Sequence, residues 1–177
     1  MHDIREITSI WDPSIQMINF GINDVKYHPL KATTNITGDL DAAIITLPYD
    51  MTLSPLLANP ICLPHGLTDD PHIHFDKMVF IGWGKVNKTD TSKSRKLKRT
   101  TVWHVNHDFC NKIRKPNVLT GNMICAVGEL GPAFPPSQST PCAGDSGGSL
   151  FWEDTDDSKR GYLGGHVNLL YAVCTLQ

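Results

Sequence analysis

The chain has 177 residues, which is enough for one sizeable hydrophobic core or two small ones side by side. Its formal net charge of −2 gives no reason to expect nucleic acid or an anionic membrane as a partner. No apolar run approaches the roughly 18 residues of a membrane-spanning helix, and the first residues lack the apolar core of a signal peptide.

Short apolar runs separated by turns predict an all-β fold, since 14 glycines and 12 prolines are scattered among them. In chain order, these strand-like runs are residues 43–47, 78–81, 101–105, 148–152 and 162–167. The best helical candidate is the stretch 108–115, with Asp108 as its cap and Pro116 after it. The sequence shows no internal repeat.

The most informative segment is residues 141–148, which read PCAGDSGG. It predicts a nucleophilic serine, Ser146, on a tight turn where glycines allow conformations that a side chain forbids. The N–H groups of Gly144 and Ser146 are then expected to converge on a developing oxyanion. Asp145 is expected to hold the turn through an ion pair, and Cys142 to attach it to a neighbouring strand. The alternative is an ordinary Gly-Asp-Ser-Gly turn of the kind that is frequent in loops.

This segment resembles the nucleophile segment of the trypsin/chymotrypsin family of serine proteases. Six further segments resemble other parts of that family in the right order: 28–29, 41–47, 60–64, 80–84, 122–126 and 161–165. The resemblance implies a chymotrypsin-like double antiparallel β-barrel, truncated at both ends, with the active site between the barrels. Residues 1–64 are expected to form a partial first barrel and the connector. Residues 65–177 are expected to form the second barrel without its last strand and C-terminal helix.

The resemblance also assigns catalytic roles, with Ser146 as the nucleophile and Asp41 as the residue that orients the base. Asp39 lies close by, but the apolar run starts directly after Asp41, which favours Asp41. The family carries its histidine on an Ala-Ala-His-Cys turn about 45 residues before the aspartate, beyond the start of this chain. None of the eight histidines has the right neighbours, and His28 is the least implausible substitute. The triad is therefore expected to be incomplete.

Activation and specificity depart from the family pattern as well. Family members pair the aspartate equivalent to Asp145 with a new amino terminus, and without that partner the turn is expected to relax. Thr140 stands at the pocket base where trypsin-like enzymes carry aspartate. Asn168, Leu169 and Leu170 occupy the substrate-pairing strand, where the family usually has Ser-Trp-Gly. We therefore expect small or apolar residues, rather than Lys or Arg, before the cleaved bond.

The five cysteines favour a secreted protein. The resemblance implies the bridges Cys110–Cys125 and Cys142–Cys174, which leaves Cys62 without its partner. Glycosylation triplets at Asn35 and Asn87 weakly favour the same route. The alternative is a cytosolic protein with five reduced cysteines.

Charged segments outside the motifs have more ordinary interpretations. The basic run 93–99 is an anion-binding site, a proteolytic nicking site or, more simply, a solvated surface segment. The acidic stretch 153–157 reads as a hairpin tip and lacks the regular spacing of a calcium loop. His72 and His74 lack a third metal ligand at a convincing spacing. No cofactor and no metal are expected.

Three functions are compatible with these features. The first is a serine endopeptidase domain that acts on peptides or proteins once completed and is inactive as written. The second is a non-catalytic protease homologue that acts as a binding or regulatory module. The third is a disulfide-linked interaction module, which rests only on the unpaired Cys62.

Overall fold

The structure is a computed structural model that describes residues 16–36, 38–54, 58–63, 77–87, 89–113, 119–129, 140–153 and 161–166. Seven β-strands and one short α-helix form its regular elements, together with single 3-10 turns at Ile22–Asp24 and Lys31–Thr33. The strands are β1 Val25–Tyr27, β2 Ala43–Ile45, β3 Lys77–Gly82, β4 Lys98–His104, β5 Ala126–Gly128, β6 Ser149–Glu153 and β7 Gly161–His166. The helix is α1 His107–Ile113.

Five strands form one antiparallel sheet in the order β5-β4-β3-β6-β7. The central strand β3 is buried because β4 and β6 pair with its two edges, and its run Met78, Val79 and Phe80 is almost fully enclosed. The core lies on this sheet and consists of Met78, Phe80, Val102 and Leu150, with Trp152 packed against them. The larger sheet thus carries the hydrophobic core of the described residues.

The smaller sheet contains only β1 and β2, which pair antiparallel with Val25 opposite Ile45. Its apolar side chains are largely uncovered, as Ile44 is 73% exposed and Tyr27 is 63% exposed. The connector after it is attached to the larger sheet at Cys62. There the Cys62 N–H donates to the Gly161 carbonyl over 3.0 Å, and the Leu163 N–H donates to the Cys62 carbonyl over 2.8 Å.

The all-β fold class is confirmed, although the described strands form open sheets and no closed barrel. The predicted boundary between residues 64 and 65 stays a prediction, because residues 64–76 lie outside the described part. The five strand-like runs of the sequence correspond to β2, β3, β4, β6 and β7, and their ends differ by at most three residues.

The helix prediction needs one correction, which concerns its cap. The helix begins at His107, and Asp108 lies in its first turn. The Asn106 Oδ1 atom accepts the N–H groups of Asp108 and Phe109 over 2.9 and 3.2 Å. Because a capping side chain must precede the helix to reach these free donors, Asn106 is the cap and Asp108 is not.

Candidate active site

Residues 141–148, the predicted nucleophile segment, form two consecutive tight turns, which we call the nucleophile turn. In the first, the Asp145 N–H donates to the Cys142 carbonyl over 2.9 Å, and in the second the Gly148 N–H donates to the Asp145 carbonyl over 2.8 Å. The third residue of each turn is a glycine with positive φ, 95° at Gly144 and 81° at Gly147. This conformation is strained for a residue that has a side chain. Ser146 is the second residue of the second turn and is exposed. The exposed Ser146 thus lies between two glycines whose backbone conformation residues with a side chain rarely adopt.

The Asp145 carboxylate holds these turns against the larger sheet. Its side chain is 2% exposed. The Gly84 N–H donates to Oδ1 over 2.6 Å, and the Cys142 N–H donates to Oδ2 over 2.8 Å. Such bonds to an ionised acceptor are about twice as strong as neutral ones. The expected relaxation of the turn is therefore wrong for this structure, because two backbone donors satisfy the carboxylate without an amino terminus.

Two glycines at the end of β3 make room for this carboxylate. A Cβ atom at Gly82 or at Gly84 would overlap the Asp145 side chain. The motif Phe-Ile-Gly-Trp-Gly at 80–84 contains a sequence signal for this contact, since two closely spaced glycines at the end of a strand indicate a close approach by another group. Only the fold shows that the partner of both glycines is Asp145.

The segment after β3 adds further contacts to the nucleophile turn. The Lys85 N–H donates to the Ala143 carbonyl over 2.9 Å, and the Ser94 N–H donates to the Gly84 carbonyl over 3.0 Å. The methylene groups of Lys93 lie next to the α-carbon of Gly144. Sequence reasoning missed these contacts.

Asp41 lies on the smaller sheet's side of the molecule, two residues before β2. Its carboxylate is 3.0 Å from the Lys31 ammonium and its side chain is 46% exposed. The hydrogen bonds of the nucleophile turn reach the segment after β3, whereas Asp41 meets Lys31. The assignment of Asp41 as the orienting carboxylate stays a prediction.

Asp39 has the surroundings of a structural carboxylate. Thr120 and Asn122 donate to its Oδ1 over 2.6 and 3.1 Å, and Thr34 donates to Oδ2 over 3.1 Å. The hydrogen bond from Thr120 and then that from Asn122 lower the pKa of Asp39, and its burial opposes them more weakly. Since Thr120 and Asn122 follow α1 in the chain, these bonds connect the loop that carries Asp41 to the body of the larger sheet. Local sequence gives no signal for partners more than 80 residues away.

His28 takes part in a local turn, because its Nδ1 atom accepts the Leu30 N–H over 3.2 Å. This contact does not involve the nucleophile turn. The prediction that His28 does not serve as the base stays a prediction. Thr140, the predicted pocket base, is 3% exposed and precedes the nucleophile segment. Asn168, Leu169 and Leu170 lie outside the described residues, as do His72 and His74.

The cysteines agree with the expected framework where the structure describes them. A disulfide joins Cys110 to Cys125, and so connects α1 to the residue before β5. Cys142 is also disulfide-bonded, and its expected partner Cys174 lies outside the described residues. Cys62 is a free thiol.

Neither a metal-binding group nor a membrane-spanning helix is found among the described residues. Over the described residues, no three His, Cys, Asp or Glu side chains are grouped so as to hold a metal ion. No helix there is both long and apolar enough to cross a bilayer.

Comparison with known proteins decides the family. A family model described as Trypsin matches residues 12–175, which is nearly the whole chain. The chain belongs to the trypsin family. The paired glycine turns, the buried Asp145 and the exposed Ser146 all lie within the residues that the family model matches.

Individual relatives agree with this membership. The trypsin-family chain is 30% identical over 158 residues to Phenoloxidase-activating enzyme from Bombyx mori, over 82% of this chain and 33% of the relative. It is 27% identical over 138 residues to Transmembrane protease serine 9 from Rattus norvegicus, over 78% of this chain and 12% of the relative. It is 33% identical over 104 residues to Clotting factor G beta subunit from Tachypleus tridentatus, over 54% of this chain and 31% of the relative. The alignments thus span between 12% and 33% of the length of these relatives.

Proposed function

We propose that this chain is the larger part of a serine endopeptidase domain whose nucleophile is Ser146. The observation that carries the proposal is the exposed serine on two glycine turns held by a buried Asp145. A peptide carbonyl placed over Ser146 is attacked by the serine oxygen, and the negative charge that develops on the carbonyl oxygen is bound by the N–H groups of Gly144 and Ser146.

The base in this proposal is a histidine that is not among these 177 residues. It takes the proton of the Ser146 hydroxyl during attack and returns it to the departing amine, which leaves an acyl-enzyme that water hydrolyses. Asp41 orients this histidine. The greater exposure of Asp41 supports it over Asp39: hydrogen bonds occupy both oxygens of the buried Asp39, whereas the Asp41 side chain is 46% exposed and its contact with Lys31 is at the surface. The chain as written is therefore inactive in this proposal.

The substrates we propose carry a small or apolar residue before the cleaved bond, since Thr140 has no charge to neutralise Lys or Arg. We also propose that the complete protein is secreted, which its disulfides favour. A cysteine outside this chain would pair with the free Cys62. Residues 1–64 and 65–177 then belong to the first and second barrels.

The experiment begins with the transcript upstream of the codon for Met1. We expect it to encode an Ala-Ala-His-Cys turn and a cysteine partner for Cys62. The extended protein is then assayed with peptides that carry Ala, Leu or Arg before the cleaved bond, beside its Ser146→Ala variant. Hydrolysis of the alanyl or leucyl peptide that is lost in the variant supports the proposal. Preferred cleavage of the arginyl peptide would contradict the specificity, and no hydrolysis would contradict the activity.

A second function, a non-catalytic homologue that binds a protein partner, is favoured by two observations. None of the eight histidines lies on an Ala-His-Cys turn, and the Asp41 carboxylate is engaged by the Lys31 ammonium. If the upstream sequence encodes no such histidine, this second function replaces the first.

A further inference from the structure

Positive charge is concentrated in one segment beside the nucleophile turn. Residues 84–99, which we call the basic loop and which end with the first two residues of β4, contain seven of the chain's 16 Lys and Arg residues and only one of its 18 Asp and Glu residues. The chain as a whole carries a net charge of −2. The basic loop is therefore a local exception to an acidic protein.

Hydrogen bonds hold the start of the basic loop against the nucleophile turn. The Gly84 N–H donates to the Asp145 carboxylate, and the Lys85 N–H donates to the Ala143 carbonyl. The Ser94 N–H donates to the Gly84 carbonyl over 3.0 Å, so the chain at Ser94 lies next to the start of the loop. The backbone between Lys93 and Arg95 is consequently held to Gly84, the residue that also donates to Asp145.

Lys93 makes the closest approach to the turn. Its Cγ, Cδ and Cε atoms lie 3.3, 3.1 and 2.8 Å from the position that a Cβ of Gly144 would occupy. The Lys93 stem thus packs against Gly144, and its ammonium is one bond beyond Cε. Since charges interact over a screening length of about 8 Å at physiological ionic strength, this ammonium can attract acidic side chains of a peptide bound over Gly144.

Two cations of the basic loop are available to an outside ligand. Lys93 and Arg95 are exposed, and neither has an ion pair within the described part of the chain. Arg99 differs, because it is paired with Glu153 over 2.7 Å. The single carboxylate of the basic loop, Asp90, accepts the N–H groups of Val86 and Asn87 over 3.1 and 2.8 Å.

We propose that Lys93 and Arg95 bind acidic side chains of the polypeptide that lies across Ser146, so that the preferred ligand has Asp or Glu beside the bond over the serine. This rests on the proposed function only in that a peptide occupies the turn. Two unpaired cations match one or two carboxylates. An extended polyanion such as a nucleic acid typically engages six to ten cations, so the acidic peptide is the better match.

The test measures binding rather than hydrolysis and uses the 177-residue chain carrying Ser146→Ala. Fluorescence anisotropy compares two labelled peptides of the same apolar sequence, one with two central Glu residues and one with two Gln residues. We expect the Glu peptide to bind about tenfold more tightly, as two exposed ion pairs supply, and to lose this preference in high salt. The double variant Lys93→Gln/Arg95→Gln is expected to bind both peptides equally.

The matched control is Lys26→Gln/Lys112→Gln, which removes two exposed cations elsewhere and should keep the tenfold preference. Equal binding of the two peptides to the parent chain, no binding of either, or loss of the preference in the control variant would overturn the proposal. Binding of heparin, a polyanion, is measured on the same variants. A Lys93→Gln/Arg95→Gln variant that loses affinity for heparin but keeps the preference for the Glu peptide would also overturn the proposal. Because no hydrolysis is measured, a failure of the proposed activity is a separate result, seen only in the extended protein.

Discussion

Asparagine at position 145 would keep the size of the aspartate but not its two acceptor oxygens. One backbone donor, at Gly84 or at Cys142, would then face the amide NH₂ group inside a buried site. We expect Asp145→Asn to lower the free energy of unfolding by about 1.5–3 kcal/mol, the worth of a hydrogen bond to a charged group. Urea unfolding followed by tryptophan fluorescence measures this loss.

Asp90→Asn is the matched control, because Asp90 also accepts two backbone N–H groups but in a loop nearer to solvent. Water can replace the lost acceptor there, so we expect a loss below about 1 kcal/mol. Equal losses in the two variants would show that burial of Asp145 does not matter.

The substitution Gly84→Ala tests the contact between Gly84 and the Asp145 carboxylate by adding a methyl group at the glycine. The added Cβ would overlap the Asp145 carboxylate, and overpacking of this kind costs about 1–3 kcal/mol. At Gly121 an added Cβ meets no atom within 4 Å, so Gly121→Ala should change stability by less than about 0.5 kcal/mol. Urea midpoints of the two variants that do not differ would contradict the packing described here.

The pH dependence of stability tests Asp39. Hydrogen bonds from Thr120, Asn122 and Thr34 hold its pKa below the ordinary value of 3.8. A carboxyl group whose pKa is lowered by folding adds stability above its unfolded pKa and loses that stability as the pH falls through the folded pKa. We therefore expect Asp39→Asn to lower stability near neutral pH and to weaken its fall below about pH 4.

Urea unfolding at several pH values from about 6 to about 2 provides the measurement. Asp50→Asn, which changes an exposed carboxylate, serves as the control and should leave the profile of the parent chain unchanged. A profile of Asp39→Asn that is parallel to the parent profile would contradict the role given to these hydrogen bonds.

Among the elements, α1 and β5 depend on a covalent link. The Cys110–Cys125 bridge closes a loop with a sequence separation of 15. Loop-closure entropy assigns about 3 kcal/mol to a loop of that length. We expect Cys110→Ser/Cys125→Ser to lose about this amount in urea unfolding. Cys62→Ser, at the free thiol, should lose clearly less, and a comparable loss in both variants would be the contrary result.

The sequence predicts the long strands better than the short elements. The central strand β3 is found within a residue because a buried strand needs a continuous apolar run. Strands β1, β2 and β5 have only three residues each. Strand β2 was predicted because it lies in the longer apolar run 43–47, whereas β1 and β5 are defined by their pairing partners. The cap of α1 was misplaced by two residues because Asn106 and Asp108 are both good capping residues, and only the backbone decides between them.

In the candidate site, local features could be predicted from the sequence and long-range contacts could not. The glycines and serine of the nucleophile turn are local in sequence, so their conformations could be anticipated from residue types alone. The donors to Asp145 and to Asp39 come from as far as 61 and 83 residues away, and no local pattern encodes such contacts. The basic loop was visible as a charged run, but its place beside Gly144 required the fold.

At the scale of the whole molecule, the proposed catalytic groups are divided between two sheets. The nucleophile turn is built on the larger sheet, and Asp41 stands before β2 of the smaller one. Asp39 connects these parts through Thr120 and Asn122, and Cys62 connects them through hydrogen bonds to Gly161 and Leu163. The proposed nucleophile turn is formed in the described structure, and the proposed base is a histidine outside these 177 residues.

Covalent labelling of Ser146 by a fluorophosphonate probe tests this central claim most directly, with the labelled residue identified by peptide mass spectrometry. We expect no labelling of the 177-residue chain. We expect labelling of the extended protein that contains the Ala-Ala-His-Cys turn, and its loss in Ser146→Ala. Labelling of Ser146 in the 177-residue chain would show that another residue serves as the base, and an unlabelled extended protein would contradict the role of Ser146 as a nucleophile.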